Sequence, residues 1–208
     1  SQTYGENYED TFQPVARLES SRAFIAYATS LGYPIKQLDF EGAYLQGKAS
    51  HEIYMEMPRD LKHMNIHTPP GCVAKLTGNI YGLKQAGYIW WETLAKQLHA
   101  LNFTPSDAEP CMWIYNSGGL KIWLILHVDD CLFFSNDMDK TLETLSRLNA
   151  VLKHDIKEGW ADWHLGVKID QTVNAKGRLT SVRLSQKGYM EQICKANGIA
   201  TDKNIRFP

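Results

Sequence analysis

The chain has 208 residues, 44% apolar and 22% charged, enough for one globular domain or two lobes sharing an interface. An aromatic content of 11%, with 22 basic against 23 acidic side chains, excludes a disordered polyelectrolyte. The longest apolar stretches, Ile122–Leu126 and Cys131–Phe134, fall far short of the roughly 20 residues of a spanning helix, so no membrane partner is expected.

Ser1-Gln2-Thr3 opens the chain without a methionine or a charged-then-apolar leader, as a trimmed fragment or processed product would. The four cysteines, Cys72, Cys111, Cys131 and Cys194, form no C-x-x-C pair. That argues against a zinc ribbon and for free thiols in a reducing, intracellular compartment. Residues 146–208 carry eleven Lys and Arg against six Asp and Glu, so a basic end follows an acidic body. Such asymmetry suits a polyanion near one end and cations near the other, or simply a solvated surface.

Residues 1–14 are polar and read as an extended lead-in. From Ser20 to Leu31, Phe24, Ile25, Tyr27, Ala28 and Leu31 recur at helical spacing, with Gly32 as the stop. Pro34 opens a strand, Ile35–Phe40, with Ile35, Gln37 and Asp39 on one face and Lys36, Leu38 and Phe40 on the other. Glu52–Met57 alternates and can pair with Cys72–Leu76 across a loop holding Pro58, Pro69, Pro70 and Gly71. Gln85–Asn102 is a helix with the stripe Ile89, Trp90, Leu94, Leu98 and Leu101. Met112–Tyr115 and Ile122–Val128 are strands about the turn Asn116–Gly119, and Cys131–Ser135 is a third strand just past Asp129 and Asp130. Leu142–Leu152 is helical, Leu165–Ile169 and Leu179–Leu184 form a hairpin, and Tyr189–Ala196 is a short final helix. The succession implies an α+β domain with helices on one face of an antiparallel sheet.

The adjacent pair Asp129-Asp130 sits between two of the most apolar segments of the chain. Buried strands on both sides would carry two carboxylates to a sheet edge, where mutual repulsion and desolvation favour a hard divalent cation. An ordinary hairpin turn, its carboxylates bonded to their own backbone, is the plainer alternative. Asp39 is a third candidate; alone, it could equally be a helix N-cap or a surface strand position. Should its strand lie beside the acidic hairpin, three carboxylates converge, the minimum set for two metal ions about 3.5–4 Å apart and in-line phosphoryl transfer.

Seven segments in order carry a resemblance. They are Tyr8-Glu-Asp-Thr-Phe-Gln-Pro-Val-Ala-Arg17, Gln37-Leu-Asp-Phe-Glu-Gly-Ala-Tyr-Leu-Gln-Gly47, Glu52-Ile-Tyr-Met-Glu-Met-Pro58 and Ile80-Tyr-Gly-Leu-Lys-Gln-Ala86 with Trp90. His127-Val-Asp-Asp130, Leu165-Gly-Val-Lys-Ile169 and Leu184-Ser-Gln-Lys-Gly-Tyr189 complete the set. Over essentially its whole length the chain resembles the reverse transcriptase of copia-type LTR retrotransposons. The resemblance implies a right-hand polymerase palm, an antiparallel sheet with helices on one face, plus a fingers subdomain. Divided on that basis, residues 1–34 are an N-terminal fingers segment and 35–48 the palm strand with the first metal ligand. Residues 49–84 are a fingers hairpin, 85–171 palm, and 172–208 the primer-grip hairpin and start of a thumb or connection.

The implied activity is RNA-directed DNA synthesis, two-metal transfer of dNTPs onto a primer 3′-hydroxyl, with Mg²⁺ or Mn²⁺ held by Asp39, Asp129 and Asp130. The implied partners are an RNA or DNA template with its primer, in a cytoplasmic particle or the nucleus. Tyr44 falls at the aromatic gate against 2′-hydroxyls, with ordinary core packing as the alternative. Phe40, Tyr81 and Gly82 fall at the nucleotide, and Arg17 and Arg22 are candidates for its triphosphate. Lys84 and Gln85 face the template or are a solvated helix start; Leu165 and Gly166 match the hairpin that grips the primer 3′ end. Two departures stand out. His127 replaces the usual tyrosine before Val-Asp-Asp, and both Lys153 and Lys157 can serve as the fourth-motif lysine. A catalytically weak or inactive descendant binding RNA or protein, and a two-metal nuclease, are the competing readings.

Overall fold

A computed structural model describes residues 2–49, 51–58, 61, 66–69, 71–152 and 156–199. The elements run α1 (Leu18–Leu31), β1 (Lys36–Phe40), a 3₁₀ turn (Ala43–Gln46), β2 (Tyr54–Glu56), β3 (Val73–Lys75), α2 (Ala86–Ala100) and β4 (Thr104–Pro105). They continue with β5 (Met112–Ser117), β6 (Leu120–His127), β7 (Asp130–Ser135), α3 (Met138–Leu152), β8 (Ile156–Trp160), β9 (Trp163–His164), β10 (Val167–Val173), β11 (Leu179–Ser185) and α4 (Lys187–Ala196). Lys153 lies outside the described residues.

Six strands form one antiparallel sheet in the order β4-β5-β6-β7-β1-β8. Its centre, β6 and β7, is apolar on both faces, so each face needs a cover. On one face Leu38, Phe40, Leu124, Leu126, Cys131 and Phe133 pack under Trp90, Leu94 and Leu98 of α2 and Leu145 and Leu148 of α3. On the other, Ile35, Ile125, Leu132 and Phe134 meet Phe24, Ile25 and Ala28 of α1, with Ile169 and Leu179 of a second sheet, β11-β10-β9. The expectation of helices on one face is thereby corrected. β7 offers Leu132 and Phe134 on the side away from α2 and α3, and the α1 stripe covers them.

Local signals account for the boundaries. Gly32 adopts φ 73° after α1, and the Tyr33 N–H donates to the Ala28 carbonyl at 3.0 Å, closing a Schellman-type end. Gly118 and Gly119, at φ 60° and 81°, make a two-residue primed turn between β5 and β6, so those strands extend further into the turn than their side chains suggest. Leu165 and Gly166 are a second such turn, at φ 51° and 75°, joining β9 to β10; Leu165 therefore does not begin a strand. The edge strand β8, Ile-Lys-Glu-Gly-Trp, carries no alternating apolar pattern and forms through backbone pairing with β1. The lead-in is not extended: the Gly5 N–H donates to the Tyr8 carbonyl at 2.9 Å in a tight turn. Among the described residues no helix is long and apolar enough to cross a membrane.

Phe134 tests the two-faced sheet. Its ring is buried on the α1 side, with centroids 4.7 Å from Phe24 and 4.9 Å from Trp123. Phe134→Ala is expected to lower unfolding free energy by about 3–5 kcal/mol in urea titration; a change under about 0.5 kcal/mol would mean that this face is solvent-covered.

Candidate active site

The strand register assembles one polar row. His127 lies opposite Asp130, Asp130 opposite Asp39, and Asp39 opposite Lys157, across β6, β7, β1 and β8. Directly opposed residues on neighbouring strands share a face. The row therefore projects from the α1 side, while Leu38, Phe40, Leu126 and Cys131 point into the other core. Phe40 is 5% exposed and packs edge-on against Trp90, so its side chain does not reach a nucleotide on the acidic face. Period-two alternation beside Asp39 requires this, and the expectation for Phe40 is corrected; its N–H instead donates to the Asp129 carbonyl at 3.3 Å.

The turn between β6 and β7 is only Val128 and Asp129. Val128 sits at φ 59°, the left-handed first position of a type II′ turn that normally takes glycine. A β-branched residue there costs on the order of 1–3 kcal/mol. The buried Trp90 indole N–H donates to the Val128 carbonyl at 2.7 Å, which offsets part of that cost and locks the turn to α2. Both aspartates are half-buried at the sheet's end, while Asp39 is exposed.

Asp130 has its pKa raised above the usual carboxylate value, first by burial, then by Asp129, with Asp39 adding to it; the Gln37 hydrogen bond and His127 oppose the rise. The Gln37 amide donates to Asp130 Oδ1 at 3.1 Å, a contact readable in the sequence only as the i, i+2 neighbour of Asp39. Hard carboxylate oxygens crowded enough to raise one pKa suit a divalent cation, which would relieve the repulsion. Among the described residues, however, no group of three or more His, Cys, Asp or Glu is arranged to hold a metal ion. The backbone brings the acids together, while Asp39 extends to solvent and Asp130 turns to Gln37.

Around this row the other candidates separate. The half-buried Tyr44 ring lies 4.9 Å from that of Tyr81, which is 56% exposed. Burial, then Asp129 and Tyr81, push the Tyr44 pKa up. Gly82 follows at φ 99°, with open space where a Cβ would stand; its absent side chain serves backbone conformation. Gln85 is 2% exposed: it accepts from the Gln2 amide at 2.8 Å and donates to the Asn7 carbonyl at 3.1 Å. It is neither a solvated helix start nor open to a template. Lys84 bonds the Tyr8 hydroxyl at 3.2 Å, its ammonium 4.8 Å from the ring centroid.

Arg17 is the N-cap residue of α1 and follows Ala16, whose carbonyl lies 3.3 Å from His127 Nδ1. Arg22 lies further along α1 and is exposed. Leu165 and Gly166 form the β9–β10 turn directly after His164, a buried histidine with no motif or periodicity to mark it in advance. Lys157, opposite Asp39, pairs with Glu41.

Asp130 supplies a test. Its folded-state pKa lies above the unfolded one, so the folded chain holds that proton more tightly, and the ionised form subtracts stability at pH above the folded pKa. In metal-free buffer Asp130→Asn is expected to raise the melting temperature at pH 7, with a gain that shrinks as pH falls through the raised pKa. An unchanged or lower melting temperature at pH 7 would contradict the crowding.

The whole chain, residues 1–208, matches the profile of the family described as reverse transcriptase (RNA-dependent DNA polymerase). The retrovirus-related Pol polyproteins from transposons RE1 and RE2 of Arabidopsis thaliana are 29% and 30% identical over 211 residues, which cover all of this chain and 14% of each relative. That from transposon TNT 1-94 of Nicotiana tabacum is 29% identical over 214 residues, again all of this chain and 15% of the relative. The chain thus spans a small part, 14–15%, of the length of these curated relatives. No solved structure matches it. An acidic row built by strand register, seven ordered motifs and a match from end to end agree: the chain belongs to the reverse transcriptase (RNA-dependent DNA polymerase) family.

Proposed function

We propose that the chain is the fingers and palm portion of an RNA-directed DNA polymerase that adds dNTPs to a primer 3′-hydroxyl on an RNA or DNA template. The observation that carries this reading is the placement of Asp39 opposite Asp130, with Asp129 beside it at the sheet's end. Residues 35–48 and 85–171 make the palm in this reading, 1–34 and 49–84 the fingers, and 172–208 the primer-grip hairpin and start of a thumb. The separate β2–β3 hairpin within 49–84 supports that division.

Asp39, Asp129 and Asp130 are the residues that would hold Mg²⁺ or Mn²⁺. When bound, the ions supply acidification of the primer hydroxyl and neutralisation of the triphosphate. The protein's own part is positioning. Tyr44, braced by Tyr81, lies under the sugar and clashes with a 2′-hydroxyl. Arg17, one residue from the His127 contact, is favoured over Arg22 for the triphosphate. Lys157, which pairs with Glu41 in the row beyond Asp39, is a lysine that can protonate the leaving pyrophosphate. Lys84 displays a cation for template phosphate, and Gln85 fixes the turn before α2. The Leu165–Gly166 turn meets the primer end.

Primer extension on primed poly(rA) with Mg²⁺ or Mn²⁺ tests the proposal. Incorporation is expected, with a loss of at least about 100-fold in Asp129→Asn. Primer shortening would indicate a nuclease, and RNA binding unaffected by Asp129→Asn without synthesis would indicate an inactive scaffold. Tyr44→Ala is expected to admit ribonucleotides; unchanged sugar selectivity would refute the gate.

A further inference from the structure

One buried polar group on the face of the acidic row has no part in the chemistry above. His164 ends β9, is 3% exposed, and lies under the row's first member, His127. The two rings are 6.3 Å apart and nearly perpendicular, at 83°. His164 Nε2 is 3.1 Å from Oγ of Ser21, itself 1% exposed on α1. His164 Nδ1 has no hydrogen-bond partner among the described residues. Burial, and secondarily His127, push the His164 pKa down to about 4, so the ring is neutral in the fold.

Three parts of the molecule meet at this imidazole. Ser21 anchors it to α1, whose entry residue Ala16 receives His127 Nδ1 at 3.3 Å. The His127 ring ties it to the residue opposite Asp130. Its own backbone leads into the Leu165–Gly166 turn, with Leu165 left-handed at φ 51°. A buried ring nitrogen without a partner costs stability; a phenylalanine there would remove that cost but leave the buried Ser21 hydroxyl without the imidazole. What the imidazole adds is direction. Its bond to Ser21 fixes the ring plane, and the ring plane fixes where His127 and the following turn can sit.

We propose that His164 is a positioning residue, which with Ser21 and His127 sets the Leu165–Gly166 turn at a defined place relative to the acidic pair. The proposal rests on the reading of that turn as the primer contact, and it adds the device that aligns primer end with acids.

The test uses the whole chain with three variants: His164→Phe, Ser21→Ala and the conservative His164→Gln. Primer-template affinity is read by fluorescence anisotropy, and KM for primer-template, KM for dNTP and kcat by primer extension. His164→Phe is expected to weaken primer-template binding and raise its KM by about tenfold, with dNTP KM unchanged. Ser21→Ala is expected to show the same split, the double variant no more than either single one, and His164→Gln a partial rescue. Primer-template binding unchanged in His164→Phe would overturn the proposal. So would a parallel loss of dNTP and primer binding, the pattern of a merely structural residue. A chain that binds primer-template in a His164-dependent way without extending it keeps the positioning role and sinks the polymerase reading. Failure of all variants and the parent to bind primer-template overturns both.

Discussion

Asp39 and Asp130 face each other across two antiparallel strands, and this pairing depends on a turn with very little freedom. Two residues, Val128 and Asp129, reverse the chain between the most apolar strands of the sheet. A longer loop would leave the acidic pair mobile, and a one-residue slip of β1 against β7 would send Asp39 into the α2 core and Leu38 to the acidic face. Register is secured from both sides, by Leu38 and Phe40 in one core and Ile35 and Leu132 in the other. The buried faces, more than any contact among the acids, hold the carboxylates together.

The arrangement works against local stability in two ways. Val128 adopts a backbone conformation that a β-branched residue disfavours, and burial, then the neighbouring Asp129, raise the pKa of the half-buried Asp130. Both terms are small against the apolar area of the two cores and are tolerated because the surroundings over-determine the turn: the Trp90 indole on the Val128 carbonyl, the Phe40 amide on the Asp129 carbonyl, the Gln37 amide on Asp130. Strain and charge crowding at one end of a well-packed sheet are the expected marks of a functional site. The Tyr44 and Tyr81 rings stand 4.9 Å apart, and Gly82, at φ 99°, follows directly.

Much of this could be read in the residues. Alternation in Lys36–Phe40 put Asp39 opposite in direction to Leu38 and Phe40, and the apolar runs around Asp129-Asp130 marked central strands; both features are local and periodic. Other features depend on tertiary context. Nothing local says that α1 covers the second face, because an amphipathic helix does not name its partner. Gln85 reads in sequence as a template contact or a solvated helix start but is buried and bonded to Gln2 and Asn7, residues distant along the chain. The β8 strand and its Lys157–Asp39 register arise from backbone pairing with no side-chain pattern to announce them. His164 and Ser21, 143 positions apart, meet only once the two sheets and α1 have assembled.

Disulfide trapping examines the register itself, independent of metal, nucleotide or primer. Directly opposed residues on antiparallel strands lie about 4.5–5.5 Å apart at Cα, within the reach of a disulfide. An Asp39→Cys, Asp130→Cys double variant should oxidise readily to an intramolecular bond that shifts its non-reducing gel mobility, as the parent chain and each single variant should not. Persistently free thiols at both positions under mild oxidant would mean that the two acids do not face each other, and the site described here would not exist.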